Sequence, residues 1–202
     1  MELQTESESA LARSALGRAI AIMLRPRRAW AVIAAQPTSI RHLFTGYVMI
    51  LGALNPLCWT IGRLVFGERA LGGVDAYRPP ILAALIEGVI SYVLVLISVC
   101  ALTLLIEGLA PPFGAVRDRH AAFKVAAYSG TAGWLASVFY LVPVLQPLAI
   151  IGVLYGLYLL YLGVQIVVRP QRTLGYVALV VVCYVVLTML ATSLTKLVSA
   201  LF

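Results

Sequence analysis

The stretch between Pro80 and Pro111 constrains this chain more than any other. It holds Ile81 to Leu109, where Glu87 and Glu107 are the only charged residues and 19 uncharged residues separate them. As an α-helix those 19 rise about 28 Å at ~1.5 Å per residue, close to the ~30 Å hydrocarbon thickness of a bilayer. The glutamates then bracket an oily core.

Composition extends that reading to the whole chain. It is 62% hydrophobic and only 11% charged, with a mean hydropathy of +0.98, whereas soluble domains are ~45–50% apolar and ~25% charged. Too few charges remain to cover a water-facing surface, so the expectation is an all-α membrane protein: a five-helix transmembrane bundle with a short amphipathic N-terminal region. The expected spans are 43–61, 81–109, 125–142, 148–168 and 174–195, making 42–202 the transmembrane domain and 1–41 a cytoplasmic interfacial region. Asn55-Pro56 interrupts the first span and predicts a kink near its far end. Between the third and fourth spans PVLQP leaves room only for a tight, uncharged hairpin.

Ahead of the spans, Met1 to Ser9 is polar and acidic. From Ala10 to Leu24 the residues Leu11, Leu16, Ile20, Met23 and Leu24 recur at near-helical intervals with Arg13 and Arg18 on the other side, the pattern of a basic amphipathic helix suited to a membrane surface. Pro26 suits the first turn of a second short helix reaching about Ala35. Its Trp30 is expected at the headgroup level, and Arg25, Arg27 and Arg28 are expected in contact with lipid headgroups beside it. No cleaved signal peptide is expected, since the first long apolar run begins only after about forty residues. Cys58, Cys100 and Cys183 lie in apolar segments without metal-site or disulfide spacing, and no lipid modification is expected at Cys58.

Charge sets an orientation. The net +7 comes from 15 Lys and Arg against 8 acids. With a cytoplasmic N-terminus, the inside connections carry Arg13, Arg18, Arg25, Arg27, Arg28, Arg41, Arg117, Arg119, Lys124, Arg169 and Arg172, and the outside only Arg63, Arg69, Arg78 and Lys196. That bias places the N-terminus in the cytoplasm, the C-terminus in the periplasm and the protein in the cell inner membrane.

Ionisable residues at the span ends invite two readings. Glu87, Glu107 and Lys196 are interfacial and structural, or Glu87 faces a water-filled cavity. In the fourth span Gly152, Gly156 and Gly163 share one side of the helix, and Tyr158, Tyr161 and Gln165 the opposite side. The glycine stripe is expected at a close helix–helix contact, within one chain or across a dimer seam. The tyrosine face lines a polar cavity with Gln165, together with Glu87 in a transport reading, or hydrogen-bonds to neighbouring helices. His42 and His120 stand apart in basic flanks, and no phosphate loop, H-E-x-x-H or G-x-S-x-G occurs, so no catalytic residue, metal site or cofactor is expected.

These segments resemble the Yip family, the Ypt/Rab-interacting membrane proteins, in its bacterial branch. The resemblance rests on LRPRRAWAVI (Leu24 to Ile33), AYSGTAGWLASVFYLVPVLQPL (Ala127 to Leu148), and GVLYGLYLLYLGV (Gly152 to Val164) followed by Arg169-Pro170. It implies five membrane helices with a cytoplasmic N-terminus and a non-enzymatic role. Eukaryotic members bind small GTPases of the Rab class, but the D-L-Y-G-P element that precedes their first span is missing here. The expectation is a membrane-organising or partner-recruiting scaffold, the alternative a small-molecule or ion transporter with a pathway near Glu87 and the Tyr158/Tyr161/Gln165 face. Expected partners are anionic lipid headgroups and another copy or another membrane protein, with no nucleic acid.

Overall fold

The structure, a computed structural model, describes the backbone of residues 15–69 and 76–199 and the side chains of 15–67 and 78–189. Leu11 and Arg13 of the expected amphipathic helix, loop residue Asp75 and the side chain of Lys196 lie outside the described residues.

Two short helices, α1 (Ala15–Leu24) and α2 (Pro26–Ala35), precede the long α3 (Ile40–Phe66) and α4 (Ile81–Leu109). Between α3 and α4 a minimal antiparallel pairing joins Glu68 to Tyr77 and Arg69 to Ala76. Then come α5 (Arg119–Ser129), α6 (Thr131–Ala136), two 3-10 stretches (Ser137–Leu141, Pro143–Leu148), α7 (Ala149–Gly163) and α8 (Thr173–Ser199). The last turns of the α7 rod, Val164–Val168, widen into a π-helix.

Helices α4 and α7 are apolar on every side. Outward-facing Leu82, Leu85, Val89, Val93 and Ile97 on α4 remain exposed in the isolated chain, a surface that water does not tolerate and lipid does. Among the described residues three helices are long and apolar enough to cross a membrane, Ile40–Phe66, Ile81–Leu109 and Pro143–Val168, and Thr173–Met189 of the expected fifth span is a shorter apolar helix. The expected third span is not one of them, because it divides into α5, α6 and the 3-10 stretch Ser137–Leu141. Near the breaks Ser129, Thr131 and Ser137 donate back to the carbonyls of Ala126, Tyr128 and Trp134, bonds that bend a helix locally.

In α3 the expected break falls where the chemistry requires it. Pro56 has no N–H to give the carbonyl four residues back, so the helix is interrupted at Ala53 and resumes with Leu57 N–H donating to Ala53 O at 3.1 Å. A π-helical segment at Phe44–Val48 has no proline or glycine pair to announce it.

At one end of the bundle Arg63 pairs with Glu87, and at the other Arg119 Nε donates to Glu107 at 3.1 Å. The glutamates sit at opposite ends of the oily stretch, each neutralised by a neighbouring element. With 53% of the Glu87 side chain exposed, the pair stabilises by no more than about 1 kcal/mol. Helix α8 is fastened to the Glu107 end: Tyr176 OH donates to Ile106 O, the Phe113 ring meets Tyr176 edge-on at 5.3 Å, and Gln171 N–H donates to Phe113 O at 2.9 Å.

Candidate functional site

Helices α1 and α2 form a hairpin seated against α5 and α7, fixed at three places by polar bonds and at a fourth by aromatic packing. Arg18 Nη1 donates to Tyr128 OH at 2.7 Å. Tyr155 OH, from α7, donates to Met23 O at 2.7 Å, near the C-terminal end of α1. The Trp30 ring packs edge-on to Tyr128 with centroids 6.1 Å apart and lies directly over Gly163, where an added Cβ would stand 2.7 Å from the indole. Finally Lys124 Nζ donates to Ile33 O at 3.0 Å and Gln36 O at 2.6 Å, closing the C-terminal end of α2 with a cation.

This arrangement corrects the expectation for Trp30. Its side chain is fully buried, so it is a core residue of the hairpin interface and not a headgroup anchor. Gly163 is the reason: without a Cβ there, the α7 surface has a recess of indole width. The Trp30 Nε1 has no hydrogen-bond acceptor.

Beneath the hairpin the hydroxyls are chained. Thr131 Oγ1 donates its single proton to Tyr128 O at 2.7 Å, so in the 2.7 Å bond between Tyr47 and Thr131 the phenol is the donor. The Tyr47 and Tyr128 rings pack in a tilted pair with centroids 4.7 Å apart, and Tyr47 stands in the π-helical segment of α3. None of Arg18, Tyr47, Lys124, Tyr128 or Thr131 stands out in the sequence as a site residue. The signal available was their type, since a Lys and an Arg beside apolar helices need partners.

Lys124 stands just ahead of the expected third span. Lys124→Met is expected to cost about 1–3 kcal/mol, since it leaves the buried Ile33 carbonyl without a donor. Hydrogen exchange reads it directly: amides of the second half of α2 exchange faster while those of α4 do not change.

The glycines of α7 face helices of the same chain. A Cβ on Gly152 would collide with the Ala136 methyl and come 2.8 Å from Ala132 O, and one on Gly156 would come 3.2 Å from Ser129 O. The residues expected to share a polar cavity are divided instead. Glu87 is engaged by Arg63 at the end of α3, Tyr158 borders a groove whose other walls are Arg25, Pro26, Arg27 and Arg28, Tyr161 is half-buried and Gln165 exposed. The division follows from helix geometry: Glu87 lies near the start of α4 and Tyr158 midway along α7, on elements held apart by α3 and α5 packing.

A bundle whose outward faces are apolar and whose charges gather at its ends is an integral membrane protein. The sequence profile of the Yip1 domain matches residues 20–193, from the hairpin into α8, and the chain belongs to that family. No curated protein and no solved structure matches it.

Proposed function

We propose that the protein is a non-enzymatic scaffold of the bacterial branch of the Yip family, organising the inner membrane or recruiting a partner there. In this reading α3, α4, the α5–α6 rod, α7 and α8 make five crossings, with the N-terminus cytoplasmic and the C-terminus periplasmic, as the arginine bias favours. The observation that carries the proposal is the clamped hairpin. Four separate polar or aromatic contacts hold α1 and α2 to the bundle, so the segment bearing Arg25, Arg27 and Arg28 is a fixed platform that a partner or lipid can recognise without ordering it first. The transporter alternative lacks comparable support, since Glu87 is engaged by Arg63 and Tyr158 borders an arginine groove.

Proximity labelling and cross-linked pull-down from native membranes test the reading. A reproducible protein neighbour or self-association is expected, and a solitary monomer would reject it. Cysteines placed at Glu87, Tyr158, Tyr161 and Gln165 separate the alternative: a transport pathway requires all four to react with aqueous thiol reagents.

A further inference from the structure

The groove between the α1–α2 junction and α7 encloses about 510 Å³ and is lined by Arg25, Pro26, Arg27, Arg28 and Tyr158. We infer that it is a discrete binding site for one anionic phospholipid, whose phosphate sits among the arginines. The inference goes beyond the scaffold reading and requires no protein partner.

Charge is the first ground. The three arginines are exposed, and among the described residues no acid pairs with any of them: the acids that do pair with arginine, Glu87 and Glu107, are engaged by Arg63 and Arg119. Three guanidinium groups around one groove are a strong anion trap, and their planar forks match phosphate oxygens in pairs. The polarity of α2 adds to this. Its C-terminal carbonyls are taken by Lys124, whereas Pro26 is at its start and Arg25 gives no side-chain cap to the first turn. The positive end of the helix therefore opens on the groove.

Apolar surface selects the kind of anion. Tyr158 continues a line of exposed α7 side chains, Ile151 and Leu154, spaced so that all three share one face. Leu24, next to Arg25, is exposed as well. A free phosphate satisfies the cations and leaves the apolar track unused. A phospholipid satisfies both, with its phosphate at the arginines and an acyl chain along Leu154 and Ile151.

The test uses the purified full-length chain and native mass spectrometry after exchange through micelles containing phosphatidylglycerol or phosphatidylcholine. One phosphatidylglycerol per chain is expected to be retained in preference to phosphatidylcholine. In R25Q/R27Q/R28Q retention is expected to fall by at least about tenfold, and in Y158F by about two- to fivefold. R41Q/R117Q/R172Q removes equal charge from exposed positions elsewhere and is expected to retain the lipid as the parent does. Should the first triple variant fail to fold, Y158F and R27Q alone decide. Three results would overturn the inference: equal losses in both triple variants, which means diffuse attraction; no preference between the two lipids; or displacement of the lipid by millimolar inorganic phosphate, which means a site for a free anion.

Discussion

Gly152→Ala is expected to destabilise the folded protein more than any other single methyl added to α7, and Gly152→Leu to abolish folding. The reason is that the space is already occupied from two sides: a Cβ at this position meets the Ala136 methyl and stands 2.8 Å from Ala132 O. A side chain can swing away, but a backbone carbonyl moves only with its helix, so α7 must separate from α6. Overpacking of this kind costs about 1–3 kcal/mol and sometimes more, and two backbone-level contacts place Gly152→Ala at the upper end. Between helices in lipid no hydrophobic force offsets the loss, because close packing itself is the main attraction. The control is internal. At Gly156 the nearest atom to an added Cβ is Ser129 O at 3.2 Å, and at Gly108 and Gly133 nothing lies within 4 Å. Thermal midpoints in detergent should therefore fall most for Gly152→Ala, slightly for Gly156→Ala, and not at all for Gly108→Ala and Gly133→Ala. Equal midpoints for all four would show that α7 does not pack as described.

Trp30→Ala is the second large effect, with an expected loss of about 3–5 kcal/mol. The indole is fully buried and fills the recess over Gly163, and its removal leaves Tyr128 without an edge contact and the hairpin without its central wedge. Trp30→Phe separates shape from polarity. It keeps a ring over Gly163 and removes the indole N–H, which has no acceptor, so the phenylalanine variant should recover a large part of the loss. A headgroup-anchored tryptophan would behave differently, since exchanging an interfacial ring disturbs membrane attachment and little else. A midpoint unchanged in Trp30→Ala, or free access of aqueous acrylamide to Trp30 in a Trp59→Phe/Trp134→Phe background, would return the residue to the interface.

The interior of the bundle was legible wherever the signal was local. Prolines at 80 and 111 and the spacing of Glu87 and Glu107 delimit α4, whose ends coincide with the expected 81–109. Pro56 marks the interruption of α3, and the glycines at 152, 156 and 163 mark where α7 admits close neighbours. The division of the expected third span into α5, α6 and a 3-10 stretch has no comparable local signal, since Ser98 and Thr103 make the same hydroxyl-to-carbonyl bonds inside the unbroken α4. In α1 the period singled out Leu16, Ile20 and Leu24, which point outward, whereas Ala19 and Ile22 are buried against the bundle.

From its order of residues alone this chain is committed to lipid, because the length and oiliness of a helix are properties of that helix and need no partner to define them. Which helix touches which could not be read the same way. Hydropathy measures a side chain against water, and in a bilayer both the neighbouring helix and the surrounding acyl chains are apolar, so a buried Trp30 and an interfacial one have the same pattern around them. Tertiary packing alone decided that Trp30 faces Gly163, that Lys124 closes α2, and that Tyr158 belongs with three arginines and not with Glu87.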